Sequence, residues 1–335
     1  MAMPTPQCPN RMQVHSVRQE TPDVWTLSLI NHDFYPYLPG QHALVSIAGS
    51  AQTLRPLTLS SSPGLSRFIT LTVRRLANGI GSRWLTRDVQ PGDELWLSDA
   101  RGEFTCVHTA SERYLMLAAG CGVTPIIAMC RWLLTRRPQV DIQVIYNVRD
   151  PQQIIFADEW QALRRRYRAR LTLTLIAERG AGGEILPGRL TPAVLRRQAP
   201  DIAGRAVMIC GPAPYMAQAT RFCLQAGVAP ERLFKEYFHA GEEEPMTTGE
   251  RITLTLGQPP RVLSAPAGSN LLTALESHRI AVQAACRTGV CGSCRTRILH
   301  GRYTTISTST LTEQEISQGY VLACSCRLLG DVVLA

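Results

Sequence analysis

Lysine is almost missing from this 335-residue chain: Lys235 is the single example, so arginine carries nearly all of a formal net charge of +9. Genome base composition accounts for that preference as well as function does. A basic surface can steer an acidic redox partner or a nucleic acid. No aromatic-interleaved basic stripe and no helix-turn-helix signature accompanies the charge, so nucleic acid is not expected as a partner. The run Arg164-Arg165-Arg166 follows Trp160 in a helix-like stretch and reads as a solvated face. No run of eighteen apolar residues occurs, and Met1 to Val14 carries Pro4, Pro6 and Pro9 where a signal peptide needs an apolar core. The expectation is a cytoplasmic protein with no membrane partner.

The missing export signal also decides how the eleven cysteines read. Disulfide frameworks belong to oxidising compartments, so reduced thiols and a metal site are expected. Cys8, Cys106, Cys130 and Cys223 stand alone. Cys286, Cys291 and Cys294 share the segment ACRTGVCGSC, and Cys324 follows Cys294 by thirty residues. That is C-x4-C-x2-C...C, the spacing of plant-type [2Fe-2S] proteins. Three thiolates so close would repel one another without a cation, and Gly289 and Gly292 let backbone N–H groups turn toward bridging sulfides. Four cysteines can also hold zinc or be merely buried, although zinc ribbons usually pair two C-x2-C knuckles and this spacing is asymmetric. Cys326, two residues past Cys324, is the fallback for the fourth ligand.

At this length two or three domains are expected. Residues 10–110 read as short alternating strands, among them Val24 to Leu29, Ala43 to Ile47 and Phe68 to Val73, with turns at Pro39-Gly40, Pro63-Gly64 and Pro91-Gly92. Such punctuation predicts an antiparallel β-barrel. Over 111–238 apolar runs alternate with helical stretches, which predicts an α/β nucleotide-binding domain whose parallel sheet is covered on both faces. Residues 239–250, HAGEEEPMTTGE, are polar and aperiodic and read as a linker. Residues 251–335 read as a small α+β domain holding the cysteine loop, with Ser269 or Asn270 capping one helix and Thr312 with Glu315 forming a capping box.

Two glycine turns suit a nucleotide. Gly120-Cys121-Gly122-Val123-Thr124-Pro125 follows a buried strand and precedes a helix, where a pyrophosphate can approach backbone N–H groups and the positive helix end. Cys210-Gly211-Pro212-Ala213-Pro214-Tyr215-Met216 repeats that arrangement at another strand end. Each has a plain alternative, since glycine turns also serve chain reversal and Tyr215 and Met216 suit a core. In the barrel, Arg55 offers a bidentate fork to phosphate, and Gly81 with Ser82 offers backbone and hydroxyl donors. Singly, each is an ordinary surface charge or turn. Electron counting favours a flavin there: a nicotinamide gives two electrons as a hydride, a [2Fe-2S] cluster takes one, and a converter must stand between them.

Taken together, these residues make the chain resemble the ferredoxin-NADP reductase superfamily fused to a C-terminal plant-type ferredoxin domain. The resemblance runs from Met12 to Ala335 and is carried by GCGVTPI, CGPAPYM, FKEYF, ACRTGVCGSC and YVLACSC. It implies a multidomain fold in which a flavin β-barrel and a parallel-sheet α/β domain precede a β-grasp ferredoxin domain. FAD, NADH and a [2Fe-2S] cluster are the implied cofactors, the cluster being held by Cys286, Cys291, Cys294 and Cys324. Arg55, Leu57, Thr58, Leu71, Val73, Arg74, Gly81, Ser82 and Phe238 would surround FAD. Gly120, Gly122, Thr124, Pro125, Cys210, Gly211, Pro212, Tyr215 and Met216 would receive NADH. Thr58 near flavin N5, Cys210 beside the nicotinamide and Glu236 closing the flavin side are the implied catalytic groups, and hydride transfer then needs orientation rather than a side-chain acid.

One departure stands out. The family pattern R-x-Y-S/T has tyrosine where this chain has Leu57, so stacking on the flavin ring should be weaker. As electron acceptor the resemblance implies hybrid cluster protein, and with it nitric oxide or hydroxylamine metabolism under nitrosative stress. Reductases of multicomponent oxygenases acting on aromatic rings or phenylacetyl-CoA share the same modules and form the alternative. A redox-sensing iron–sulfur module with a vestigial reductase portion is the non-enzymatic one.

Overall fold

The computed structural model describes residues 4–238, 250–257 and 259–335. The linker expected over 239–250 lies, but for Glu250, outside them. The first sheet is built from β1 (Asn10–Thr21), β2 (Val24–Asn31), β3 (His42–Ser46), β4 (Leu54–Thr58), β5 (Ile69–Arg74) and, after helix α1 (Ile80–Arg87), β6 (Glu94–Leu97). Its order is β4-β3-β6-β1-β2-β5. The two end strands are joined by a Leu59–Leu71 bridge and by the Ser60 amide donating to the Thr70 carbonyl at 2.8 Å. The sheet thereby closes on itself and removes its edges. Alternation explains the filling: Val14, Leu27, Leu29, Val45, Leu71 and Leu97 point inward and are buried.

The second sheet is parallel throughout. Its elements run β7 (Arg113–Ala119), α2 (Val123–Arg136), β8 (Asp141–Val148), α3 (Ala157–Arg166), β9 (Leu171–Ala177), β10 (Leu186–Pro187), α4 (Pro192–Gln198), β11 (Ala206–Cys210), α5 (Ala213–Gln225) and β12 (Leu233–Glu236). The order is β10-β9-β8-β7-β11-β12, so the winding reverses between β7 and β11. Strand β7 shows why it needs helices on both faces. Tyr114, Met116 and Ala118 enter one buried cluster with Ile126 and Trp160, while Leu115 and Leu117 enter another with Leu195, Met216 and Phe222. Near-continuous apolar strands are the signature of that double covering.

The third sheet comprises β13 (Arg251–Leu256), β14 (Arg261–Pro266), β15 (Arg295–Thr305), β16 (Tyr320–Leu322) and β17 (Cys326–Leu334), in the order β14-β13-β17-β15-β16. Helix α6 (Leu271–Ser277) buries Leu271, Leu272 and Leu275 against Ile252, Leu254, Leu328 and Val332. Asn270 caps it, accepting from the Thr273 amide at 3.2 Å. Helix α7 (Glu313–Ser317) starts on the reciprocal Thr312–Glu315 capping box. One parallel pair, β13 with β17, amid antiparallel neighbours and a covering helix is the β-grasp arrangement.

By contacts the chain forms two compact units. One is Met1–Gly49 with Leu57–Phe238, which unites the barrel and the α/β sheet. The other is Ser50–Pro56 with His239–Ala335. Among the described residues no helix is long and apolar enough to cross a membrane.

Candidate functional site

The winding reversal between β7 and β11 opens a crevice at the carboxyl ends of the strands, where ligands bind in such sheets. Both glycine turns lie there. Ala119 ends β7, Gly120 takes φ +53, and a 3-10 turn over Gly120–Gly122 leads into α2. The Thr124 hydroxyl donates to the Cys121 carbonyl at 2.9 Å and the Tyr146 hydroxyl to the Gly120 carbonyl at 3.2 Å, which fixes the turn. No side chain caps α2; the Val123 amide bonds back to the Gly120–Cys121 turn, and the positive end of the helix dipole remains to attract an anion. A β-carbon at Gly122 would stand 2.1 Å from the Cys210 carbonyl oxygen and 2.6 Å from the Gly211 nitrogen. The two turns therefore meet backbone to backbone. Gly211 is confined less tightly and by side chains, with Tyr215 Cδ1 2.9 Å and Ala119 Cβ 3.1 Å from its β-carbon position. Asn147, near the end of β8, donates to the Tyr215 hydroxyl at 3.0 Å and ties the second turn to the sheet.

Beside the crevice, register sets Cys210 opposite Glu236 on β12. Burial holds the Cys210 thiol well above its ordinary pKa, and the neighbouring Glu236 adds to the effect, so the thiol stays neutral. Burial also raises the Glu236 carboxyl, against which His42 acts. Glu236 Oε1 lies 3.4 Å from His42 Nδ1. His42 and Thr58 sit on adjacent strands of the barrel, where the Leu59 amide donates to the Gln41 carbonyl at 2.9 Å. His42 Nε2, Thr58 Oγ1 and Glu236 Oε2 are all buried without a protein partner. Buried polar atoms in that state call for a ligand or water to complete them. Orphaned buried polar atoms on neighbouring strands fit the polar edge of a flavin ring.

The other expected residues divide. The Arg74 guanidinium covers Gly120, 3.2 Å from its β-carbon position, and pairs with Asp23 at 3.2 Å. Leu57 packs half-buried on the barrel core, to which Leu71 and Val73 also belong. Gly81 is buried in α1, and Ser82 spends its hydroxyl locally, accepting from the Leu76 amide at 3.1 Å and donating to the Gly79 carbonyl at 3.2 Å. Arg55, which belongs to the second unit, donates to the carbonyls of Leu54 at 2.8 Å and Ala285 at 3.3 Å. Pro125 is buried in α2, Pro212 precedes α5, and Met216 is wholly buried in the core. Phe238 packs on the edge of the α/β core. Sequence reasoning missed His42, Gly102 and Asn147. Only Asn147 carried a signal, its place near a parallel strand's carboxyl end.

The cysteine loop forms a second site. Cys286, Cys291, Cys294 and Cys324 are buried. Cys294 Sγ and Cys324 Sγ are 3.2 Å apart. The Gly289 amide donates to Cys324 Sγ at 3.0 Å and the Thr288 amide to Cys286 Sγ at 3.4 Å. Left-handed backbone at Arg287, Gly289 and Gly292 (φ +60, +78 and +80) turns the loop inward. A side chain on Gly289 would meet Ser307 Cβ at 2.8 Å and Ser325 Cβ at 3.0 Å. Hydrogen bonds among the four thiols lower the pKa of Cys286 and Cys294 and raise those of their partners Cys291 and Cys324. Cys326 lies in the same apolar core as Cys294 and Cys324, and burial pushes its thiol up to about 12. Converging buried thiols ringed by amide donors fit a sulfide-bridged iron pair.

A double-wound sheet with its nucleotide crevice, a closed barrel seamed to it and a thiolate loop on a β-grasp domain define an electron-transfer oxidoreductase. Comparison with known proteins agrees. Residues 116–221 match the oxidoreductase NAD-binding domain and residues 254–329 the 2Fe-2S iron-sulfur cluster binding domain. The chain is 56% identical to the NADH oxidoreductase HCR of Escherichia coli (strain K12) over 335 residues, all of both chains. It is 28% identical to the glycine betaine monooxygenase reductase subunit of Chromohalobacter salexigens, covering 92% of each. Phthalate dioxygenase reductase, whose solved structure is described as modular for electron transfer from pyridine nucleotides to [2Fe-2S], superposes with a TM-score of 0.64 at 22% identity and 97% coverage of both chains. The chain belongs to the ferredoxin-NADP reductase superfamily with a C-terminal 2Fe-2S domain, the family of that NADH oxidoreductase.

Proposed function

We propose that this oxidoreductase takes a hydride from NADH onto FAD and passes the electrons through its [2Fe-2S] cluster to hybrid cluster protein, in cytoplasmic nitric oxide or hydroxylamine metabolism. Full-length identity of 56% to an NADH oxidoreductase carries the reading. FAD supplies the conversion from a hydride to single electrons. The chain's own residues bind and orient. The uncapped N-terminus of α2, with Gly120, Gly122 and Thr124, receives the dinucleotide phosphates, and Gly211 and Pro212 close the far side of the crevice. Cys210, neutral and small, lets the nicotinamide lie against the seam. Thr58 donates its free hydroxyl to the flavin ring edge, and Arg74, Gly81 and Ser82 line the rest of that site. Cys286, Cys291, Cys294 and Cys324 hold the cluster. The domain limits that go with these roles are 10–110, 111–238 and 251–335.

Reductases of multicomponent oxygenases form the second reading, favoured by the betaine monooxygenase relative. Anaerobic NADH oxidation by the purified protein, with hybrid cluster protein or a Rieske-type oxygenase component as acceptor, separates the two. Fast turnover with hybrid cluster protein alone is the expected result. Turnover with the oxygenase component alone would transfer the assignment, and bound flavin without any NADH turnover would favour a redox-sensing module.

A further inference from the structure

Glu236 has a partner from the barrel that none of the roles above uses. His42 opens β3, and a two-bond bridge anchors it. Its amide donates to the Arg101 carbonyl at 3.0 Å, and the Arg101 amide returns a bond to the His42 carbonyl at 2.8 Å. The ring then reaches Glu236, Nδ1 to Oε1 3.4 Å, with the two side chains only 14% and 11% exposed. The next residue after Arg101 makes room for this contact. Gly102 adopts φ +107, and a β-carbon on it would stand 3.0 Å from His42 Nδ1 and 3.9 Å from Glu236 Oε1. A residue with a side chain there would be strained by its backbone and would press the ring off the carboxylate.

Among the described residues no other positive charge pairs with Glu236. Cys210 faces it from β11 as a neutral thiol, with Cys121 beyond, also raised by burial. Arg74 acts on Cys121 rather than on Glu236, and Arg101 acts on Cys8 and Tyr35. A carboxylate taken from water into such a seam takes up a proton unless a cation faces it. Among the described residues, His42 is the basic side chain that faces Glu236.

We propose that His42 is the charge partner of Glu236, a positioning residue that keeps the carboxylate ionised and aimed along the seam where hydride transfer takes place. His42 opposes the rise that burial gives the Glu236 carboxyl, so the carboxylate stays ionised to a lower pH than it would alone. This rests on the reductase reading for its kinetic consequence, and on geometry for the pairing itself. Each partner keeps one ring or carboxyl atom, His42 Nε2 and Glu236 Oε2, free of protein bonds for whatever lies in the seam.

The test is the pH profile of kcat/KM for NADH, with ferricyanide as the one-electron acceptor, in the full chain and in H42N, H42F and E236Q. In H42N and H42F the acid limb should move upward by about one pH unit or more, a tenfold loss near the native inflection. E236Q should flatten that limb whether or not His42 is present. A limb in H42N superimposable on the native one overturns the proposal. Carbon-13 NMR of protein labelled at the glutamate carboxyl follows Glu236 without turnover, and its midpoint should rise in H42N. An unchanged midpoint overturns the pairing even if H42F fails to fold. Absence of NADH oxidation by the native chain would instead defeat the reductase reading, leaving the NMR titration to judge His42.

Discussion

The carbonyl oxygen of Cys210 lies 2.1 Å from the point a β-carbon on Gly122 would occupy. A carbonyl in the backbone of a central strand cannot swing aside as a long side chain can, so the conflict must be relieved by moving the turn or the N-terminus of α2. Gly122→Ala should cost about 1–3 kcal/mol of stability and raise the KM for NADH tenfold or more, with the visible spectrum of the cluster unchanged. Steady-state kinetics at saturating ferricyanide reads this directly. A native KM would mean that the turn does not hold the dinucleotide.

Cys324 and Cys326 are both buried at the apolar core, but Cys324 Sγ also lies 3.2 Å from Cys294 Sγ and accepts from the Gly289 amide at 3.0 Å. Cys324→Ala should therefore abolish the cluster's visible absorption and its EPR signal in the reduced protein. Cys326→Ala should keep both and lose only about 1–2 kcal/mol for the small cavity it leaves. The reverse outcome, a cluster surviving in the first variant and absent from the second, would reassign the fourth ligand.

How much of this was legible in the chain depends on the range of the interaction. Leu271, Leu272 and Leu275, the Asn270 cap and the Thr312–Glu315 box are local, and periodicity and capping rules find them. The spacing of Cys286, Cys291 and Cys294 is likewise set by one loop closing on itself, with Cys324 brought in from the turn between β16 and β17. Met216, with Ala219, Phe222 and Cys223, forms the buried stripe of α5, the core alternative that its place in the nucleotide-binding string left open. His42 and Gly102 could not be found this way, because their importance arises only when the barrel closes through Leu59 and Leu71 and its rim meets the parallel sheet. The membership of Ser50–Pro56 in the second unit is of the same kind, a product of long-range contact that no local pattern encodes.

Leu57 stands where relatives in the resemblance carry tyrosine, and it packs half-buried on the barrel core beside Thr58. Leucine covers a flat ring with apolar contact but lacks the aromatic face that stacks on it. Leu57→Tyr should add about 0.5–1.5 kcal/mol to flavin binding, seen as slower flavin loss on dilution and stronger quenching of flavin fluorescence. Equal fluorescence and equal retention in variant and native protein would show that this side chain does not face the ring.

Arg205 is the most enclosed charge of the α/β sheet, its side chain 4% exposed. Its Nη2 donates to Asp141 at 2.5 Å, its Nε to Asp201 at 2.8 Å and its Nη1 to the Tyr114 carbonyl at 3.2 Å, tying the start of β11 to β7 and β8. The hydrogen bond from Arg205 holds the Asp201 carboxyl below its ordinary pKa. A depressed acid contributes stability above its unfolded pKa, and that contribution fades as pH falls through the folded value. Arg205→Met keeps the bulk and removes the charge. It should lower stability at pH 7 by about 1–3 kcal/mol, less than a fully buried pair would lose because water screens both carboxylates. The gap between variant and native should narrow as pH drops below the carboxylate range, where the native protein has lost the same interaction. Urea unfolding at pH 7 and near pH 3 measures both differences. A gap that stays constant with pH would mean that Arg205 acts through packing and its bond to Tyr114 rather than through the aspartates.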